Sequence, residues 1–129
     1  MGQQQLLLIT VGVIAVGIAV IIGISLFEAA ATEANREELT SALNSLGNMA
    51  QEYYLTPTTL GGGNRKFTGW KMPKTYKQYE GGKFKVKFHP NSNLITITGK
   101  GKEKGRNTKT NVEVEAMVMP KSVKIKVLN

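Results

Sequence analysis

The sequence predicts an α+β fold: one long N-terminal α-helix, apolar in its first half and amphipathic in its second, packed on a four-stranded antiparallel β-sheet. Three observations predict it. Residues 6–27 read LLLITVGVIAVGIAVIIGISLF, with no charge. Residues 28–54 keep a helical period on good helix formers. Beyond residue 82, short segments alternate apolar and polar side chains, the pattern of half-buried antiparallel strands.

The apolar run comes first. As a helix its 22 residues reach about 33 Å at ~1.5 Å per residue, and a hydrocarbon core is roughly 30 Å thick. A cleavable signal peptide fits poorly, because the run exceeds the usual ~7–15 residues and has no Lys or Arg ahead of it. The flank from residue 28 to 38 carries four Glu and one Arg. That asymmetry places residues 28–129 outside the membrane, and the expectation follows that a short basic leader preceded Met1 and was removed.

Helical character continues past Phe27. Leu39, Leu43, Leu46, Ala50 and Tyr53 recur at i, i+4, i+7, i+11 and i+14, one stripe of a helix. Nothing near residues 29–32 breaks it, so one continuous helix is expected, about 78 Å from Gln3 to Tyr54 at ~1.5 Å per residue. It stops at Thr56 and Pro57, ahead of Gly61, Gly62 and Gly63. Residues 1–27 thus form a hydrophobic half-helix. Residues 28–129 form a head: amphipathic half-helix 28–54, irregular connection 55–82 anchored by Phe67 and Trp70, and β-meander 83–129.

The meander is read from four segments. In KFKVKF, residues 83–88, Phe84, Val86 and Phe88 share a face and three Lys the other. Residues 93–99 (NLITITG), 112–119 (VEVEAMVM) and 123–128 (VKIKVL) alternate likewise. His89, Pro90, Asn91 and Ser92 make the first turn. Residues 99–111 make a long basic hairpin loop, and residues 119–121 a short corner.

Composition excludes several chemistries. There is no Cys, no Asp and one His, so a thiolate site has no ligand, a zinc or iron site and a calcium loop are not expected, and no cofactor is expected. His89 reads as a turn residue. Ser and Thr lie scattered away from it, so no nucleophile–base pair forms and no enzymatic activity is expected. Gly61–Gly63 precede no expected helix with a Lys-Ser or Lys-Thr signature, so they do not read as a phosphate loop. Seventeen Lys and Arg against nine acids give +8, which permits contact with DNA or an acidic polysaccharide. The candidates are Lys100, Lys102, Lys104 and Arg106, in a loop that reads more readily as a solvated hairpin tip.

This architecture resembles the type IV pilin superfamily over the whole chain, and at the level of sequence in MGQQQLLLITVGVIAVGIAVIIGISLF. The resemblance implies a subunit, pilin or pseudopilin, that waits in the inner or cytoplasmic membrane. A prepilin peptidase, an assembly ATPase and a platform protein then bring it into an extracellular homopolymer for adhesion or motility. It implies a mature start at Met1, N-methylated. It places Met1, Gly2, Gln3, Gln4, Gln5, Leu6, Leu7, Leu8, Gly12, Gly17, Gly23 and Phe27 in the filament core. Where the family carries a glutamate this chain has Gln5, whose amide accepts a hydrogen bond but supplies no charge. The family's frequent helix proline is absent.

Gly12, Gly17 and Gly23 carry two expectations: close helix packing, or a segment that melts in the filament, since each Gly weakens a helix by ~1 kcal/mol relative to Ala. Two other functions stay open. One is a pseudopilin in a short secretion piston. The other is a single-span membrane protein that displays a small binding domain and never polymerises.

Overall fold

Helix α1 occupies Gly2–Leu55 without interruption, in a computed structural model that describes residues 2–90, 93–107 and 109–129. Its C-terminal end explains the three glycines. The chain turns at Pro57 through a 3₁₀ turn, Thr58–Leu60, and folds back over the last helical turn. The Gly63 N–H donates to the Tyr53 carbonyl (2.8 Å) and the Arg65 N–H to the Tyr54 carbonyl (2.7 Å), satisfying acceptors that a helix end leaves open. A Cβ at Gly62 would sit 2.1 Å from the Thr56 oxygen, and one at Gly63 1.9 Å from the Lys66 oxygen. Only glycine permits that approach.

The chain divides into two units, one ending at Ala31 and the other spanning Thr32–Asn129. In the first, the helix buries nothing. In the second, it lies on a sheet of order β1-β2-β3-β4: β1 Gly82–Phe88, β2 Ile95–Lys104, β3 Asn111–Val118 and β4 Val123–Val127, each antiparallel to the next. The core is the predicted stripe, Leu39, Leu43, Leu46 and Ala50, against Ile95, Ile97, Val112, Val114, Ala116 and Val118, with Phe67 and Trp70 closing one side. At Gly47 the helix meets β4, where an added Cβ would come within 2.9 Å of the Val123 side chain.

Three expectations need correction. The basic loop 99–111 is strand as far as Lys104; Gly99 and Gly101 are its buried positions and Lys100 and Lys102 its exposed ones. Glycine stands at those inward sites because neighbours come too close for a side chain: a Cβ at Gly101 would lie 2.0 Å from Asn35 Oδ1 of α1, and one at Gly99 would lie 2.9 Å from the Phe84 ring. The connection 55–82 is not wholly irregular, since a short helix α2, Lys74–Lys77, packs beside β1. Finally, the strand expected from residue 93 starts at Ile95. Asn91 and Ser92 of the expected turn lie outside the described residues, while the His89 ring meets the Thr96 hydroxyl at 2.8 Å.

Asn35 is the polar residue at the centre of this packing. It is 2% exposed. Its Nδ2 donates to the Gly81 carbonyl (2.8 Å), and its Oδ1 accepts from the Lys102 N–H (3.1 Å) and the Glu103 N–H (3.3 Å). Those two N–H groups fall where the β2–β3 register shifts, between Lys100 and Lys104. A bulge leaves ladder groups unpaired, and Asn35 supplies the missing acceptor. The hairpin beyond is held by Asn129, whose Nδ2 donates to the Thr110 Oγ1 (2.7 Å) and the Asn111 carbonyl (3.1 Å).

Tyr76, Tyr79 and Phe84 pack ring against ring at 5.5 to 6.0 Å. Burial first, and then the Glu38 carboxylate to which it bonds, push the Tyr79 hydroxyl above its ordinary 10.0. A raised folded-state pKa stabilises fully below the unfolded value, and that stability is lost as pH climbs through the folded one. Stability of the head is therefore expected to fall above pH ~10, and Tyr79→Phe to flatten that fall. Urea midpoints measured at intervals from neutral to strongly alkaline pH check this; identical alkaline slopes in both proteins would refute it.

Candidate functional site

Two surfaces carry the residues singled out in the sequence. The first is the helix surface of residues 2–31. Fifteen large apolar side chains between Leu6 and Phe27 are each 53–75% exposed, and they cover every side of the helix. A soluble monomer rarely exposes a continuous apolar patch beyond a few hundred Å². The segment is long and apolar enough to cross a membrane.

Within it, Leu6, Leu7, Leu8 and Phe27 are exposed apolar groups, and Gly2, Gln3, Gln4 and Gln5 form the exposed first turns. Met1 lies outside the described residues, and with it the expected methylation. No atom lies within 4 Å of a Cβ position at Gly12, Gly17 or Gly23, so nothing in the chain itself requires glycine there. The helix is unbroken through all three.

Helical spacing separates these glycines. Gly12, Ala15, Ala19 and Gly23 follow i, i+3, i+7 and i+11 on one face, with Gly17 on another. The two alanines were not singled out in the sequence, although their period was readable there. Thr10 interrupts the run least, because its hydroxyl donates to the Leu6 carbonyl at 2.8 Å. That bond leaves no hydroxyl proton unpaired in apolar surroundings.

The second surface is the outward face of the sheet in unit 32–129. The alternation that turns Phe84, Gly99 and Gly101 inward turns Lys83, Lys85, Lys100 and Lys102 outward. Register places Lys83 directly opposite Lys100, and Lys85 opposite Thr98. These residues line an open cleft of about 680 Å³, bordered by Tyr79, Glu80, Asn111 and Glu113. Among the described residues none of the four lysines forms an ion pair; the pair found is Arg36 with Glu33.

Of the four sequence candidates for polyanion contact, Lys100 and Lys102 are brought into this cleft, while Lys104 and Arg106 do not line it. The Lys104 ammonium instead reaches the Lys109 carbonyl at 3.3 Å, and Arg106 is exposed in the turn beyond. Lys83 and Lys85 were readable only as the polar face of β1; their place beside Lys100 depends on register.

No family model, no curated protein and no solved structure matches the chain.

Proposed function

We propose that the chain is a structural subunit of a type IV pilus-like extracellular filament for adhesion or motility, held in a membrane by its apolar helix before assembly and polymerised through that helix afterwards. The observation that carries this reading is an unbroken helix with apolar side chains exposed on every side along residues 6–27. An all-round apolar helix must be buried. Lipid tails and neighbouring helices are about equally apolar, so passage from one to the other need not cost hydrophobic free energy. The face of Gly12, Ala15, Ala19 and Gly23 supports helix–helix contact specifically, because small residues let backbones approach closely. Nothing in this role calls for catalysis.

Sheared surface material from cells making the chain, viewed by electron microscopy and identified by mass, tests the reading. Filaments in which this chain is the bulk protein are expected. A detergent-free, stable, soluble monomer with residues 6–27 intact would overturn it. The length of the apolar helix also fits a single-span protein that displays its head without polymerising; that reading predicts membrane-bound chains and no filaments.

A further inference from the structure

The geometry points to a second function in the head: the outward face of β1 and β2 binds the phosphate backbone of double-stranded DNA through Lys83, Lys85, Lys100 and Lys102. This goes beyond the filament reading and does not depend on polymerisation.

The first argument is charge placement. Lys83 and Lys100 are direct cross-strand neighbours, and like charges so placed destabilise a sheet. Lys85 and Lys102 lie two residues further along their own strands, on the same face of the cleft. Four lysines thus meet two glutamates, Glu80 and Glu113, around one open cleft, with none of the four in an ion pair among the described residues. The fold needs only that these positions point outward. Glu113 of β3 stands opposite Lys100 and offsets one of these charges; the fold gives no reason for the excess that remains, whereas an anionic polymer supplies one.

The second argument chooses the polymer. Single-stranded nucleic acid is held by bases stacked on aromatic rings. A polysaccharide presents the C–H faces of its sugar rings to such rings. Tyr79 is the aromatic residue lining this cleft, and its ring is already packed against Tyr76 and Phe84. Contact by charge alone remains. Lysine is a point charge on a flexible stem, without the fork of arginine. A duplex presents phosphates outward and keeps its bases stacked inside, so lysines alone can hold it without reading sequence.

The experiment uses the full chain in nonionic detergent with a short, mixed-sequence, fluorescent DNA duplex, followed by anisotropy across a salt series. Four phosphate contacts predict a slope of log K against log salt of about −3.6, and so roughly a hundredfold loss of affinity between about 50 and 200 mM salt. Lys83→Gln/Lys85→Gln/Lys100→Gln/Lys102→Gln is expected to weaken low-salt binding at least tenfold and to flatten the slope. The turn variant Lys104→Gln/Arg106→Gln/Lys109→Gln is expected to keep most of the binding. If the fourfold variant loses its cooperative melt, Lys83→Gln/Lys100→Gln, which relieves a like-charge contact, should reduce the slope by about 1.8. The proposal fails if no salt-sensitive binding occurs, if the turn variant rather than the face variant abolishes it, or if a polyuronate displaces the duplex at equal charge. That last result would assign the face to acidic polysaccharide.

Discussion

A chain carrying Ile14→Arg and Ile18→Arg is expected to fall at least tenfold both in the membrane fraction and in filament yield, while its head still folds. The two positions are one helical turn apart near the middle of the apolar run, each more than half exposed. Arginine at the centre of a membrane helix costs about 2.5–3.5 kcal/mol on an insertion scale. Among neighbouring apolar helices an unpaired guanidinium meets the same absence of partners. The head has its own core, to which residues before Thr32 contribute nothing, so its thermal melt should be kept. Ile14→Leu and Ile18→Leu, which change shape without adding charge, should leave yield within about twofold, since volume-conserving apolar swaps are tolerated best. Fractionation with quantitative blotting, together with counts of filaments in micrographs, reads the result. Normal filament yield from the double-Arg chain would remove the main support for polymerisation through this helix.

The second large effect is in the head. Asn35→Leu is expected to lower its stability by about 2–5 kcal/mol, because it strands two backbone N–H groups and one carbonyl away from water. For a head of this size that corresponds to roughly 10–25 °C in melting temperature. Gly101→Ala strikes the same contact from the other side, since its Cβ would stand 2.0 Å from Asn35 Oδ1. Both variants break one clamp, so the double variant should lose much less than the sum of the singles. Circular dichroism melts of the four proteins measure this. A shift below about 2 °C for Asn35→Leu would mean that the Lys102 and Glu103 N–H groups find other acceptors.

The parts of this fold readable from sequence are those where burial uses apolar side chains. Leu39 to Ala50 on α1 and the Val, Ile and Phe positions of β1, β3 and β4 announce themselves by period, and the uninterrupted α1 follows from the absence of any breaker near residue 30. The illegible parts are those where burial uses something else. The second half of β2 places Gly99 and Gly101 inward, so a search for apolar alternation sees only lysines and glycines and reads a loop. The alternation was present, but with backbone rather than side chain filling the inner face. Asn35 is buried, although a polar residue on an amphipathic helix reads as solvent-facing; its partners are backbone groups 46 to 68 residues away. Arg36 misleads in the same way, at 8% exposed. In the candidate sites, the apolar surface was legible because hydrophobicity is local. The lysine face was half legible, because Lys100 and Lys102 stand out in sequence while their juxtaposition with Lys83 and Lys85 exists only once the strands pair.

The glycine–lysine alternation of β2 has a consequence for how this molecule can change over generations. The closest fits in this half of the strand are at Gly101, against Asn35 of α1, and at Gly99, against the Phe84 ring, while Lys100 and Lys102 contribute nothing to them. Constraint and freedom therefore alternate residue by residue along a single strand. An exterior written on such a template can be rewritten wholesale, in charge or in shape, while the scaffold beneath it stays as it is.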